Sequence, residues 1–189
     1  LQEICPPCTY KVVSPIVWHL PSNSFSFMPE ERTIALFDVT PISHATELEL
    51  GLIRNFYTEE IMTSFIRDVV EATRVVSEKL GIKIVILLKH KRVHHVMHSA
   101  GYIETVCKYA DTGDLILVEP TANLHDLVQE CDFVIAAPYS SPVYLGRAIS
   151  KDAVWYDPTA TLDWKLENQE VVLIQGYGAL VEKLQKIFN

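Results

Sequence analysis

Apolar residues arrive along this chain in two rhythms. Short, nearly continuous apolar runs at Thr33–Val39, Ile82–Leu88, Leu115–Val118, Phe133–Ala137 and Ala153–Tyr156, with a weaker one at Val171–Ile174, predict strands. Between them the spacing changes to that of helices. Thr58 to Leu80 predicts a long helix: Thr58 is a suitable N-cap, Glu59 and Glu60 favour the positive end of the dipole, and Gly81 supplies the stop. Ile61, Phe65, Val69, Val76 and Leu80 form its expected buried stripe. Further helices are expected between Val93 and Ala110, from about Leu124 to Glu130, just after Pro142, and over the last residues, where Leu180, Leu184, Ile187 and Phe188 recur on one face.

Strands that are apolar without alternation are buried on both faces, and strands separated by helices pair in parallel through right-handed crossovers. The expected fold class is therefore α/β, a Rossmann-like, doubly wound, mainly parallel sheet with helices on both faces, occupying residues 33–189. Residues 1–32 are rich in proline and carry no sustained period, so they predict a lead-in segment or linker. The first residue is Leu1 rather than Met, which suggests a fragment or processed product with sequence upstream.

Composition narrows the function classes. A chain of 189 residues, 49% hydrophobic and 21% charged, lies in the ordinary globular range and can bury a sizeable core. Its net charge of -8 argues against broad nucleic-acid binding, which needs a basic face to displace counterions. No apolar stretch approaches the roughly 20 residues of a membrane span. The beginning, Leu1-Gln2-Glu3, lacks signal-peptide character, so a soluble, cytoplasmic chain is expected. Cys5 and Cys8 stand close together but lack the strand–helix context of a redox motif and the four ligands of a zinc site. Cys107 and Cys131 are expected in the core. His94, His95 and His98 read as polar surface rather than a metal site, and neither metal nor cofactor is expected.

Candidate chemistry gathers where strands end. The run at 82–88 empties into Lys89-His90-Lys91-Arg92: two point charges, an imidazole donor and a guanidinium fork suited to phosphate oxygens. The run at 133–137 empties into Pro138-Tyr139-Ser140-Ser141-Pro142, where Ser141 before Pro142 matches an N-cap followed by a favoured first helical residue. Backbone amides and two hydroxyls at such a helix start can receive a phosphate. Taken singly, each exit also reads as a solvated basic turn or a plain cap; together they suggest one phosphorylated ligand outside the carboxyl ends of the strands. Glu119 and Pro120 follow a third strand and can lie beside a base or ribose. Asp38 and Thr40 follow the first strand and open a long loop through His44, all three being candidate ligand contacts.

Phe37-Asp38-Val39-Thr40-Pro41, Leu88-Lys89-His90-Lys91-Arg92, Ala137-Pro138-Tyr139-Ser140-Ser141 and Val154-Trp155-Tyr156-Asp157-Pro158 together resemble the bacterial polysaccharide-biosynthesis proteins named for a Pro-Phe-Thr-Ser motif. More broadly, residues from about Thr33 to Trp164 look like the carboxyl-terminal half of a GT-B glycosyltransferase. The resemblance implies a donor-binding domain for a nucleotide-activated sugar in capsule or O-antigen assembly, with CMP-linked sugars among the donors it brings into view. By position it assigns Lys89, His90, Lys91 and Arg92 to one half of the phosphate grip and Ser140 and Ser141 to the other. Tyr139 and Ser140 stand where Phe and Thr are expected, keeping an aromatic and a hydroxyl, and His90 is followed by Lys91 rather than Pro. The resemblance also implies a glycan or glycolipid acceptor and a catalytic base held by a missing amino-terminal half, with peripheral inner-membrane association of the full-length protein.

The main rival is a non-catalytic Rossmann-like regulatory or scaffolding module. A nucleotide-sugar epimerase or dehydrogenase fits less well, since no Gly-x-Gly-x-x-Gly opens the first helix and Gly176 and Gly178 come late. A serine hydrolase lacks its Gly-x-Ser-x-Gly elbow.

Overall fold

The computed structural model describes residues 31–49, 51, 56–89, 98–163 and 171–189. The expected lead-in up to residue 30, Cys5, Cys8, His94 and His95 lie outside the described residues. Among the described residues six strands, β1 (Arg32–Phe37), β2 (Ile84–Lys89), β3 (Leu115–Val118), β4 (Phe133–Ala136), β5 (Asp152–Asp157) and β6 (Val172–Gln175), form one sheet in the order β3-β2-β1-β4-β5-β6. Every pairing is parallel. The Rossmann-like expectation therefore holds. The chain builds outward from β1 to β3, returns across the sheet and builds outward again from β4 to β6, so the order reverses between β1 and β4.

Alternate strand residues serve two cores, which is why the strands read as unbroken apolar runs. Ile34, Leu36, Ile86, Leu88, Ile135, Val154 and Tyr156 face α2 (Glu59–Leu80), α3 (Ala100–Asp111) and α6 (Tyr177–Phe188). Ala35, Phe37, Leu87, Val134, Ala136 and Trp155 face α4 (Leu124–Glu130) and α5 (Pro142–Ala148).

The boundaries of α2 follow the local signals. Thr58 Oγ1 accepts from the Ile61 amide at 3.4 Å, and Gly81 takes the left-handed conformation, φ 65°, that closes the helix. Its buried stripe is broader than expected: Met62, Ile66 and Val70 are buried with Phe65, Val69 and Val76, whereas Ile61 and Leu80 are half-buried. Two expectations are corrected. The segment after Pro41, read as loop, contains a short helix, α1 (His44–Glu49), whose Leu48 is exposed and gave no apolar period to detect. The helix expected from Val93 begins at Ala100. Ser99 is its cap, accepting from the Tyr102 amide, and His98 forms an antiparallel bridge with Ile42 instead.

α5 lies close on the sheet because Gly146 has no side chain. A Cβ there would stand 2.7 Å from Ala153 Cβ on β5 and 3.6 Å from Val134 Cγ2 on β4. Gly146→Ala is expected to destabilise the protein by about 1–3 kcal/mol through overpacking, despite alanine's better helix propensity. Denaturant unfolding checks this, and a neutral or stabilising result would show that α5 can lift without cost.

Candidate functional site

In an open parallel sheet the crevice for a ligand lies outside the carboxyl ends of the strands, at the point where strand order reverses. Here that point falls between Asp38 and Ala137. Leu36 is level with Leu88 and Phe37 with Ala136, so the ends of β2, β1 and β4 share one edge. With strands about 4.8 Å apart, the exits of β2 and β4 are separated by roughly 10 Å across β1.

The turn after β4 is fixed from several sides. Its backbone is anchored to β1 by the Ala137 amide, which donates to the Phe37 carbonyl at 2.9 Å. Ser140 Oγ and the Ser140 amide both donate to the Ala137 carbonyl, at 2.6 and 3.2 Å. Trp155 Nε1 donates to the Ser140 carbonyl at 2.9 Å, and Tyr57 Oη donates to the Pro138 carbonyl. Burial, and to a lesser degree the neighbouring Tyr139, push the Tyr57 phenol above its usual range, so it remains a donor at neutral pH. Held in this way, Tyr139 takes φ 63°, a left-handed conformation costly for an aromatic residue. Ser141 precedes α5 as expected, but its hydroxyl makes no cap bond and the residue is exposed.

On the other side of β1, Lys89 ends β2 and its Nζ donates to the carbonyls of Pro120, at 3.2 Å, and Ala122. The structure thus joins Lys89 to the β3 exit, where Glu119 is exposed. His90, Lys91 and Arg92 lie outside the described residues. Asp38 leaves β1 at the centre of this edge and accepts from Tyr102 Oη of α3 and, at 3.4 Å, from Thr40 Oγ1. Burial first, and then the Asp38 carboxylate, raise the Tyr102 phenol well above its usual range; this keeps it protonated as the donor that orients Asp38.

His44 stands apart from this group. It opens α1, with Nδ1 3.5 Å from Glu47 Oε2, and lines a pocket of about 140 Å³ with Ile42, Glu47, Thr58, Glu59 and Glu60. Nearby, Ser99 Oγ donates to Glu59 Oε2, and Gly101 leaves room for that carboxylate: a Cβ there would collide with Glu59 Oε1.

Asp157, at the end of β5, was not among the sequence candidates. It is fully buried, and Oδ1 accepts from the Thr159 amide and hydroxyl while Oδ2 accepts from the Leu162 amide and Gln175 Nε2. Burial alone would raise its pKa; the opposing hydrogen bonds from Thr159, Leu162 and Gln175 prevail and hold it below the usual value. The Asp-Pro turn signal marked this place, but not the four donors that meet there. Tyr57, Tyr102 and Trp155 were missed as well, because each reaches its partner from a different part of the fold.

The arrangement offers a hydroxyl and backbone turn on one side of the switch point, a carboxylate in the middle and an ammonium-bearing strand end on the other. Comparison with curated proteins gives no match. Among solved structures the chain is similar to the KpsC beta-Kdo 2,4 transferase of Thermosulfurimonas dismutans, at 17% identity and a TM-score of 0.43, over 73% of this chain and 37% of that one. It is also similar to a candidate UDP-N-acetylglucosamine 2-epimerase of Listeria monocytogenes, at 13% identity and a TM-score of 0.49, over 95% of this chain and 40% of that one. The chain therefore spans less than half the length of either. The family model for polysaccharide biosynthesis PFTS motif proteins matches residues 2–184. That match takes in all six strands and the turn at the switch point, and the protein belongs to this polysaccharide-biosynthesis family.

Proposed function

We propose that this chain is the donor-binding domain of a glycosyltransferase that builds a bacterial surface polysaccharide such as capsule or O-antigen, and that its donor is a nucleotide-activated sugar. The observation that carries the reading is the common edge at the reversal of strand order, with the Ser140-Ser141 turn on β4 and Lys89 on β2 flanking Asp38. A donor phosphate lying between these exits would meet the exposed Ser141 hydroxyl on one side and the Lys89 end of β2 on the other. Stabilising the leaving phosphate is half of glycosyl transfer; the other half is a base that activates the acceptor hydroxyl. In this reading other parts of the protein supply that base and hold the glycan or glycolipid acceptor. Among the described residues no helix is long and apolar enough to cross a membrane.

A nucleotide panel tests the proposal by thermal shift. At a ligand concentration 100 times Kd, binding adds about 2.7 kcal/mol of stability. For a chain of this size that corresponds to roughly 5–10 °C in Tm. CMP or a CMP-sugar is expected to raise Tm more than AMP or NAD, with Ser141→Ala and Lys89→Ala each weakening the shift. Lys89→Ala also removes the tie to Pro120 and Ala122, so its shift is read against its own ligand-free Tm. Equal, negligible shifts for every nucleotide would overturn the donor-site reading in favour of a non-catalytic module, in which Ser140 simply closes its turn on Ala137.

A further inference from the structure

Two tyrosines leave ring surface open beside the Ser140-Ser141 turn. Tyr139 is 49% exposed and Tyr144, on α5, is 46% exposed, while Trp155 beneath them is 1% exposed. Both rings rest on Trp155, Tyr139 tilted at 5.8 Å between centroids and Tyr144 edge-on at 5.4 Å. The indole is held in turn by its bond to the Ser140 carbonyl. We propose that Tyr139, backed by Trp155 and flanked by Tyr144, is the stacking platform for the base of the bound nucleotide. This rests on the donor-binding reading above and adds the part of the ligand that the tyrosines recognise.

Three observations support it. An aromatic residue at φ 63° is strained where Gly or Asn would be at ease, yet the surrounding bonds from Tyr57, Trp155 and Ser140 hold a tyrosine there. A ring kept against the preference of its backbone, and left half exposed, fits a role towards a ligand better than one in packing. The segment Ala137–Arg147 has no carboxylate or amide side chain of the kind that binds sugar hydroxyls, but it has two aromatic rings. Flat heteroaromatic bases stack on tyrosine whatever their sequence of donors and acceptors. A platform two residues from Ser141 is also adjacent to the proposed phosphate position.

Calorimetric titration of the chain with CMP, UMP, AMP and inorganic pyrophosphate tests the proposal in wild type, Tyr139→Phe, Tyr139→Asn and Ser141→Ala. Tyr139→Asn is expected to weaken nucleoside monophosphates by roughly tenfold or more. It should leave pyrophosphate binding and the ligand-free Tm undiminished, since Asn tolerates the left-handed backbone. Tyr139→Phe should bind nucleotides as wild type does. Undiminished nucleotide binding in Tyr139→Asn overturns the platform, as does an equal loss for nucleotides and pyrophosphate, which would assign Tyr139 to shaping the turn. In each of these outcomes, pyrophosphate binding that depends on Ser141 keeps the donor site itself standing; a wild type that binds neither nucleotide nor pyrophosphate would remove both readings.

Discussion

Trp155→Ala is expected to lower folding stability by about 3–5 kcal/mol. Trp155 is the largest fully buried side chain among the described residues, lies on the α5 face of β5, and supports the rings of Tyr139 and Tyr144. Truncation opens a cavity in that core and leaves the Ser140 carbonyl without its indole donor. Set against a typical total of about 5–15 kcal/mol, this loss is large enough to populate unfolded chains at equilibrium. Trp155→Phe separates the two contributions: it keeps much of the packing and removes the hydrogen bond, so a smaller loss of about 1–2 kcal/mol is expected. Denaturant unfolding of both variants measures the effects. A cost for Trp155→Ala below about 1 kcal/mol would mean that the turn and α5 are held by something other than this indole.

Asp157→Ala is expected to cost about 2–3 kcal/mol, because the carboxylate is the shared acceptor for the loop that follows β5. The Thr159 amide and hydroxyl converge on one oxygen at 2.8 and 2.6 Å, while the Leu162 amide and Gln175 Nε2 reach the other at 3.0 and 3.3 Å. Asn is a poor substitute here, since whichever way its amide turns, one pair of donors faces an NH2 group. The loss should also depend on pH. The folded-state pKa of Asp157 is depressed, so its contribution is fully present above the unfolded value of about 3.9 and disappears as pH falls through the folded value. Asp68 runs the other way: burial raises its pKa despite the Tyr156 hydroxyl at 2.7 Å, so its contribution is present below the unfolded value and is lost as pH rises. The difference between wild type and Asp157→Ala isolates Asp157 and should shrink as pH falls below about 4. A difference that stays constant as pH falls would contradict an ionised, hydrogen-bonded Asp157.

What could be read from residues alone follows from how far each signal reaches. The Thr58 cap, the Gly81 stop and the Ser141-Pro142 helix start each involve neighbours within one turn, and all three appear where expected. α1 escaped notice because it has no buried apolar face to impose a period, and α3 starts at Ala100 because His98 is taken up by the bridge to Ile42. Within the candidate site, Lys89, Ser140 and Ser141 stood out as residues leaving apolar strands. The groups that fix their surroundings did not: Tyr57 meets Pro138 from 81 positions away, Tyr102 meets Asp38 from 64, and Trp155 meets Ser140 from 15. Nor did spacing indicate that Lys89 would turn towards the carbonyls of Pro120 and Ala122.

The unbroken apolar runs and the helices between them were enough to specify a parallel sheet covered on both faces, because burial on two sides leaves no polar alternation in a strand. The family resemblance was likewise carried by short motifs in a fixed order. The positions of those motifs relative to one another came from the pairing of β1 with both β2 and β4, which creates the reversal and sets the two exits on either side of Asp38. Strand order and the tyrosine and tryptophan ties depend on contacts between distant segments, whose choice is made by the packing of the whole core rather than by any local stretch of chain.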